Sequence, residues 1–401
     1  MVVIGKYTNY DQAICNSTFQ AATVVVHSLT MDTRAFAEAV RGLVERTPLF
    51  GKSDLEAVMV ANPRAGGFTR SSRARHNTAA LADAAKAASS MPLRGGATNW
   101  RALDTVSPKH AGTIALSLLE EAAIKPRTKW LIILACGDGT SHEFLDELSR
   151  APRELAERFT VLRLPMGTGN DGSDGRELSD SLSRLIGYGR IDEQVAIRMI
   201  PAPGGPASKR APGGEWRSFN IASMGVDAYI THMTNQLKSK LPGDSYKMWL
   251  DLATVLYDLS YPSGHMEIRA FDATGKILAS YEGKFLLAAM GISGHRAYGS
   301  NKPILPDDDN VCLIRQMSLL RKLILKGPIA AGRHRGLPEA ELFSADTLEI
   351  SYGHPILMQT DGEEQNLVAG DFPFRMERTG PLIRHVARTQ GRRPEALTGL
   401  D

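Results

Sequence analysis

The chain has 401 residues, with 47 basic and 44 acidic side chains for a formal charge of +3. That length exceeds one compact core, so two domains are expected. A composition of 43% hydrophobic and 23% charged residues excludes a mainly disordered chain, and the small net charge gives no argument for nucleic acid as a partner.

Residues 1–53 read as an N-terminal extension, with a short strand at Val24-Val-Val26. Asp32 can cap a helix over Thr33–Glu45, where Phe36, Val40, Leu43 and Val44 recur at helical spacing. Residues 54–190 then alternate strands and helices. Apolar runs at Ala57–Ala61, Leu131–Leu134 and Val161–Leu164 read as buried strands, and Thr78–Ala88, Ala111–Ala123 and a segment opening near Ser141 read as helices. Such alternation predicts a parallel sheet covered by helices, which binds ligands beyond the carboxyl ends of its strands. Pro201–Gly214 reads as a loop inserted between strands. Short runs at Ser218–Ala222, His265–Ala270, Lys284–Ala289, Val311–Ile314 and Thr347–Ile350, interrupted by a helical stretch at Tyr246–Leu259, predict an all-β second domain over 191–371.

Cys15, Cys136 and Cys312 are odd in number and form no C-x-x-C pair, which disfavours a disulfide framework and fits a reducing cytosol. No run approaches the roughly 18–20 apolar residues of a membrane span. The first residues lack a basic region followed by a long apolar one, so no signal peptide is expected. The expected location is cytoplasmic, with any membrane contact peripheral and on the inner face.

Three glycine loops follow the three buried strands. In Cys136-Gly-Asp-Gly-Thr140, glycines allow close backbone approach to phosphate and the helix start attracts anions. A tight turn with an Asp cap explains the same residues. In Asn62-Pro-Arg-Ala-Gly-Gly67, Arg64 can neutralise phosphate while Gly66 and Gly67 let the loop fold over it; a plain surface turn is the alternative. In Leu164-Pro-Met-Gly-Thr-Gly-Asn-Asp171, Gly167 and Gly169 flank Thr168, and Thr168 and Asn170 can hydrogen-bond a nucleotide; another β-turn is the alternative. Three such loops at three strand ends are far less expected by chance than one, and should converge on one crevice.

These motifs resemble the diacylglycerol kinase catalytic family. CGDGT is similar to the GGDGT motif that diacylglycerol, sphingosine and ceramide kinases share with NAD kinases and phosphofructokinases. NPRAGG and LPMGTGND resemble loops of the lipid kinases, the second being absent from NAD kinases. Asn220–Ala228, Pro303–Ile314 and Asp361-Gly-Glu363 resemble three later segments, so six motifs in family order span about residues 57–365.

The resemblance implies an ATP-binding α/β domain (NAD kinase/diacylglycerol kinase-like) and a C-terminal β-sandwich, with the cleft between them. It also implies return of about 372–390 to the first domain. Glu363 would accept the proton, with Asp138 second, and Asp361 would orient a metal-bound water. ATP would contact Asn62, Arg64, Gly66, Gly67, Thr105, Cys136, Gly137, Gly139, Thr140, Gly167, Thr168, Gly169 and Asn170. Mg²⁺ would be held by Asp309 and the carbonyls of Pro306 and Val311, and Asp227 would meet the substrate. The sequence departs from the pattern at Cys136, Leu305 and Asn310. Cys136 must sit in an ordinary backbone region, and Asn310 can keep a left-handed turn.

The implied activity is transfer of the γ-phosphoryl group of ATP to a hydroxyl of a diacylglycerol- or sphingoid-like lipid at a membrane surface. The basic and aliphatic run Arg321–Lys326 and Arg333-His-Arg335 could meet anionic headgroups, although an ordinary solvated face explains them as well. A homodimer is allowed. The competing expectations are a soluble-substrate kinase of the NAD kinase type and a nucleotide- or lipid-binding protein without turnover.

Overall fold

The computed structural model describes residues 30–389, except 168, 174, 239–256, 259, 262–263 and 299–301. The strand expected at Val24–Val26, Thr168, and all but Tyr257 and Asp258 of the helix expected at Tyr246–Leu259 lie outside the described residues.

The first part of the chain runs α1 (Thr33–Val44), β1 (Leu55–Ala61), α2 (Gly66–Thr69), α3 (Ser71–Ser89), β2 (Thr98–Asp104), α4 (His110–Ile124), β3 (Lys129–Cys136), α5 (Asp138–Arg150), α6 (Arg153–Ala156), β4 (Phe159–Pro165), α7 (Leu178–Ser183) and β5 (Gly189–Gln194). The second runs β6 (Ile197–Ile200), α8 (Pro206–Arg210), β7 (Trp216–Ser218), β8 (Ile221–Gly225), α9 (Val226–Lys238), β9 (Met266–Phe271), β10 (Ile277–Gly283), β11 (Phe285–Gly291), β12 (Arg296–Tyr298), β13 (Lys302–Leu305), β14 (Val311–Arg315), α10 (Leu319–Ala330), β15 (Ala340–Phe343), β16 (Thr347–Tyr352), β17 (Ile356–Thr360), β18 (Glu363–Leu367) and β19 (Phe374–Arg378), and β20 (Ile383–Arg388) follows.

The first sheet has the order β2-β1-β3-β4-β20-β5, parallel except for the β20–β5 pair. Its central strands are buried throughout except for Lys129 at the start of β3, as a sheet covered on both faces requires. Alternate side chains separate the two faces. Ala57, Met59, Leu131 and Ile133 pack with α1 and α3, whereas Val58, Val60, Trp130 and Ile132 pack with α4 and α5. Part of the expected N-terminal extension therefore belongs to this core, because α1 buries Phe36, Val40, Leu43 and Val44 against it. Asp32 caps α1 by accepting from the Arg34 and Ala35 N–H groups, a device worth about 1 kcal/mol.

The second domain stacks two antiparallel sheets, β10-β9-β16-β19-β6-β7 and β15-β14-β11-β8-β17-β18. Ile268, Leu348, Ile350 and Phe374 of one meet Met224, Met290, Leu313 and Met358 of the other in a shared core. The outer face of the second sheet is covered by a separate cluster that includes Val226 and Tyr229 of α9, Ile304, Leu305 and Ile329. The Pro201–Gly214 segment differs from the free loop expected. It contains α8, and the buried Asp371 accepts the Ala207 N–H at 2.7 Å, which ties the segment to the sandwich. At the chain's far end, β19 stays in the sandwich and β20 enters the first sheet.

Candidate active site

β1, β3 and β4 end together at the carboxyl edge of the first sheet, since Ala61 pairs with Ala135 and Cys136 with Pro165. Their three loops therefore meet. Asn62 donates from Nδ2 to Thr140 Oγ1 at 3.1 Å, and Gly67 N–H donates to Met166 O at 2.8 Å. Arg73 donates to the Gly167 carbonyl. A Cβ on Gly167 would lie 2.6 Å from Gly137 Cα, so two backbones pass at a distance that only glycine permits. Asn170 holds the left-handed conformation at φ 59°. Thr105 follows β2 and donates its N–H to Ala61 O at 2.8 Å, beside Asn62.

Cys136 ends β3 as an ordinary strand residue, as its side chain demands. Its buried thiol is pushed up by desolvation and then by Asp138, so it stays protonated and chemically quiet.

Asp138 opens α5 and accepts the Gly172 N–H at 3.0 Å. Asp171 shares its surroundings: a Cβ on Gly169 would lie 2.8 Å from Asp171 Oδ2 and 3.1 Å from Asp138 Oδ2. Burial, then the Asp171 charge, raise the Asp138 pKa against the backbone hydrogen bonds that lower it.

The second domain reaches this corner through the β17–β18 hairpin. Its two-residue turn, Asp361-Gly362, has φ of 51° and 96°, the positive pair a type I′ turn needs. The Asp361 carboxylate is largely enclosed. It accepts from Ser218 Oγ at 2.5 Å, from the N–H groups of Phe219 at 2.5 Å and Asn220 at 3.0 Å, and faces His142 Nδ1 of α5 at 3.3 Å. Burial opposes the charge on both partners, but each charge stabilises the other: the net effect holds Asp361 below the usual carboxylate range and His142 above its ordinary value. The pair clasps the two domains together. A carboxylate so engaged fixes the hairpin and has little capacity left to orient a water.

The next residue but one is Glu363. A Cβ on Gly139 would lie 3.2 Å from Glu363 Oε1, which sets this carboxylate over the first turn of α5. Its side chain keeps solvent access, yet desolvation still raises its pKa, opposed by the positive charge of His142 and assisted by Glu364 and Glu143. Asp227, at the start of α9, joins the same hairpin. Gln359 donates to Asp227 Oδ2 at 3.2 Å and accepts the Gly362 N–H at 2.9 Å, and Ser223 also donates to Asp227. Burial first, and Asp171 after the opposing hydrogen bonds, raise the Asp227 pKa to about 7.

The Asp309 corner is different. Arg335 donates to both Asp307 and Asp309, and Ser344 Oγ donates to Asp309 at 2.9 Å. Asn310 is buried outside the left-handed region, and its amide exchanges hydrogen bonds of 3.0 Å with Ala345. The left-handed turn expected there is replaced by this side-chain clamp. Pro306 and Val311 flank the corner, and none of the hydrogen bonds of Asp309 runs to the glycine loops.

Asn62, Gly67, Gly137, Asp138, Gly139, Thr140, Gly167, Gly169, Asn170, Asp361 and Glu363 thus converge, with Arg64 and Gly66 in the first loop. Sequence reasoning passed over His142, Asp171 and Arg73. His142 carried a signal, since it lies four residues after Asp138 and so shares its helix face.

A parallel α/β domain with three glycine loops is closed by an acidic hairpin from a β-sandwich, so the candidate site lies where the two domains meet. Residues 56–186 match the family model of the diacylglycerol kinase catalytic domain. No curated relative matches the chain. Among solved structures, it is similar to a diacylglycerol kinase from Bacillus anthracis str. Sterne at 14% identity and a TM-score of 0.50, covering 83% of this chain and 97% of that one. It is also similar to a "putative diacylglycerol kinase" from the same organism at 16% identity and a TM-score of 0.52, with the same coverage. At these identities the likeness shows the two-domain fold.

Proposed function

We propose that the protein transfers the γ-phosphoryl group of ATP to a hydroxyl of a diacylglycerol- or sphingoid-like lipid. The observation that carries this reading is the position of Glu363 above Gly139: a base from one domain faces a phosphate-binding helix start from the other. Phosphoryl transfer demands positioning and charge shielding more than covalent help. The N–H groups around Gly137, Gly139 and Thr140 would cradle the triphosphate. Glu363 takes the proton of the lipid hydroxyl as its oxygen bonds to the γ-phosphorus. The bond from that phosphorus to the β–γ bridging oxygen breaks, and ADP leaves. Asp227, linked through Gln359 to the same hairpin, would orient the acceptor.

Magnesium does not fit the Asp309 corner, where Arg335 and Ser344 already occupy the carboxylate. Asp138 and Asp171 fit it better: two mutually repelling carboxylates beside the phosphate loops match the one or two that magnesium normally takes alongside phosphate oxygens. There it would shield the phosphate charge. Radiolabelled ATP supplied with mixed lipid vesicles tests the assignment. A labelled lipid is expected from the intact protein, and ATP binding without any labelled product across the lipid panel would refute it.

A further inference from the structure

α10 is amphipathic the wrong way round for a helix packed on a domain. Leu319, Leu320, Leu323 and Ile324 are 53%, 69%, 53% and 56% exposed. At 3.6 residues per turn they occupy one arc of about 140°. The opposite side packs inward through Leu325 and Lys322, whose ammonium is paired with Asp258 at 2.5 Å. Burying a lysine while exposing four aliphatic side chains is unfavourable in water, and such a patch marks an interaction surface.

Charge says what covers it. Residues 319–338 contain no acidic residue, and of their five cations Lys322 pairs with Asp258 and Arg335 with Asp307 and Asp309, which leaves Arg321, Lys326 and Arg333 as the ones to consider at a surface. Arg321 and Lys326 border the aliphatic arc on either side, although Arg321 also shares Glu339 at 2.6 Å. An apolar stripe with cationic margins suits a bilayer bearing anionic headgroups, where the aliphatic chains enter the acyl boundary and the cations stay at headgroup level. The inward side of the same helix places Ile329 on the cluster that contains Val226 and Tyr229, neighbours of Asp227.

We propose that α10 is a membrane-docking helix that seats the protein on an anionic phospholipid surface and sets the acceptor entrance toward the bilayer. The choice of acceptor entrance rests on the lipid kinase reading, but docking itself can be measured without it. The test is sedimentation of the full chain with vesicles of phosphatidylglycerol and phosphatidylcholine, comparing wild type with Leu320→Glu/Leu323→Glu. Both substituted positions are exposed, so the variant should keep its melting temperature. Wild type should bind, more weakly as salt rises, and the variant's partitioning should fall on the order of 100-fold. Phosphorylation of a short-chain, water-soluble diacylglycerol should be unchanged in the variant while phosphorylation of vesicle-borne lipid is lost. Equal vesicle binding by the two proteins overturns the proposal. So does light scattering that shows a wild-type dimer, dissociated by the substitutions, with no vesicle binding. If neither protein phosphorylates any lipid, the kinase reading fails while the sedimentation result still decides docking.

Discussion

Two acidic corners of the molecule use the same residue type to opposite ends. At Asp307–Asp309 the carboxylates face Arg335, whose hydrogen bond is the main cause holding Asp307 below the usual range. At Asp138–Asp171–Glu363 burial and like charges raise the pKa of Asp138, and burial raises that of Glu363. The first corner is electrostatically satisfied and needs no ligand. The second is held in a state that a cation or a proton donor would relieve, the pattern expected of a reacting site.

Substitutions can break this contrast, and the largest effect is expected at Glu363. Glu363→Gln should lower transfer by about 10²–10⁴-fold, the usual worth of a general base, while ATP binding in a nucleotide titration is retained. A wild-type rate would remove Glu363 from the chemistry. Asp138→Asn should lower turnover by about 100-fold in steady-state assays, because it removes a carboxylate beside the phosphates.

The interdomain clasp sharpens the comparison through pH. The raised pKa of Glu363 places the acid limb of kcat/KM above that of an ordinary glutamate. His142 lowers that pKa, so His142→Asn should shift the limb to still higher pH. The same change should cost about 1–3 kcal/mol of stability, since Asp361 keeps its Ser218, Phe219 and Asn220 donors. Asp361, with its pKa lowered in the fold, contributes stability above its unfolded value of 3.8 and loses it as pH falls through the folded value. His142, raised in the fold, contributes fully below 6.5 and loses it as pH rises through its folded value. Melting curves of wild type and variant should therefore differ most between pH 3.8 and 6.5 and converge in alkali. The smallest effect is expected at Asp309→Asn, which should change turnover by less than about threefold, as for most exposed paired acids. A collapse of activity would restore the metal role that the family resemblance assigned there.

Much of this was legible in the sequence because it is local. Glycine loops after buried strands mark a nucleotide-type edge, and DG followed by an acid marks a hairpin turn. Such a turn is compatible with solvated acids, yet Asp361 is enclosed by Ser218, Phe219 and His142, 142 or more residues away in the chain. Partners so distant leave no spacing to read. The same holds for Arg335, which reaches Asp309 across 26 residues, and for α8, whose Ala207 N–H donates to Asp371, 164 residues further along the chain. The aliphatic run in α10 was visible, but which side of it faced outward depended on the burial of Lys322 and Leu325.

The most direct measurement is a crystal structure with a non-hydrolysable ATP analogue. The γ-phosphate should lie between the first turn of α5 and the Glu363 carboxylate, with the Gly167–Asp171 loop against the nucleotide. A triphosphate bound away from Gly137–Thr140, or turned from Glu363, would contradict the proposed site.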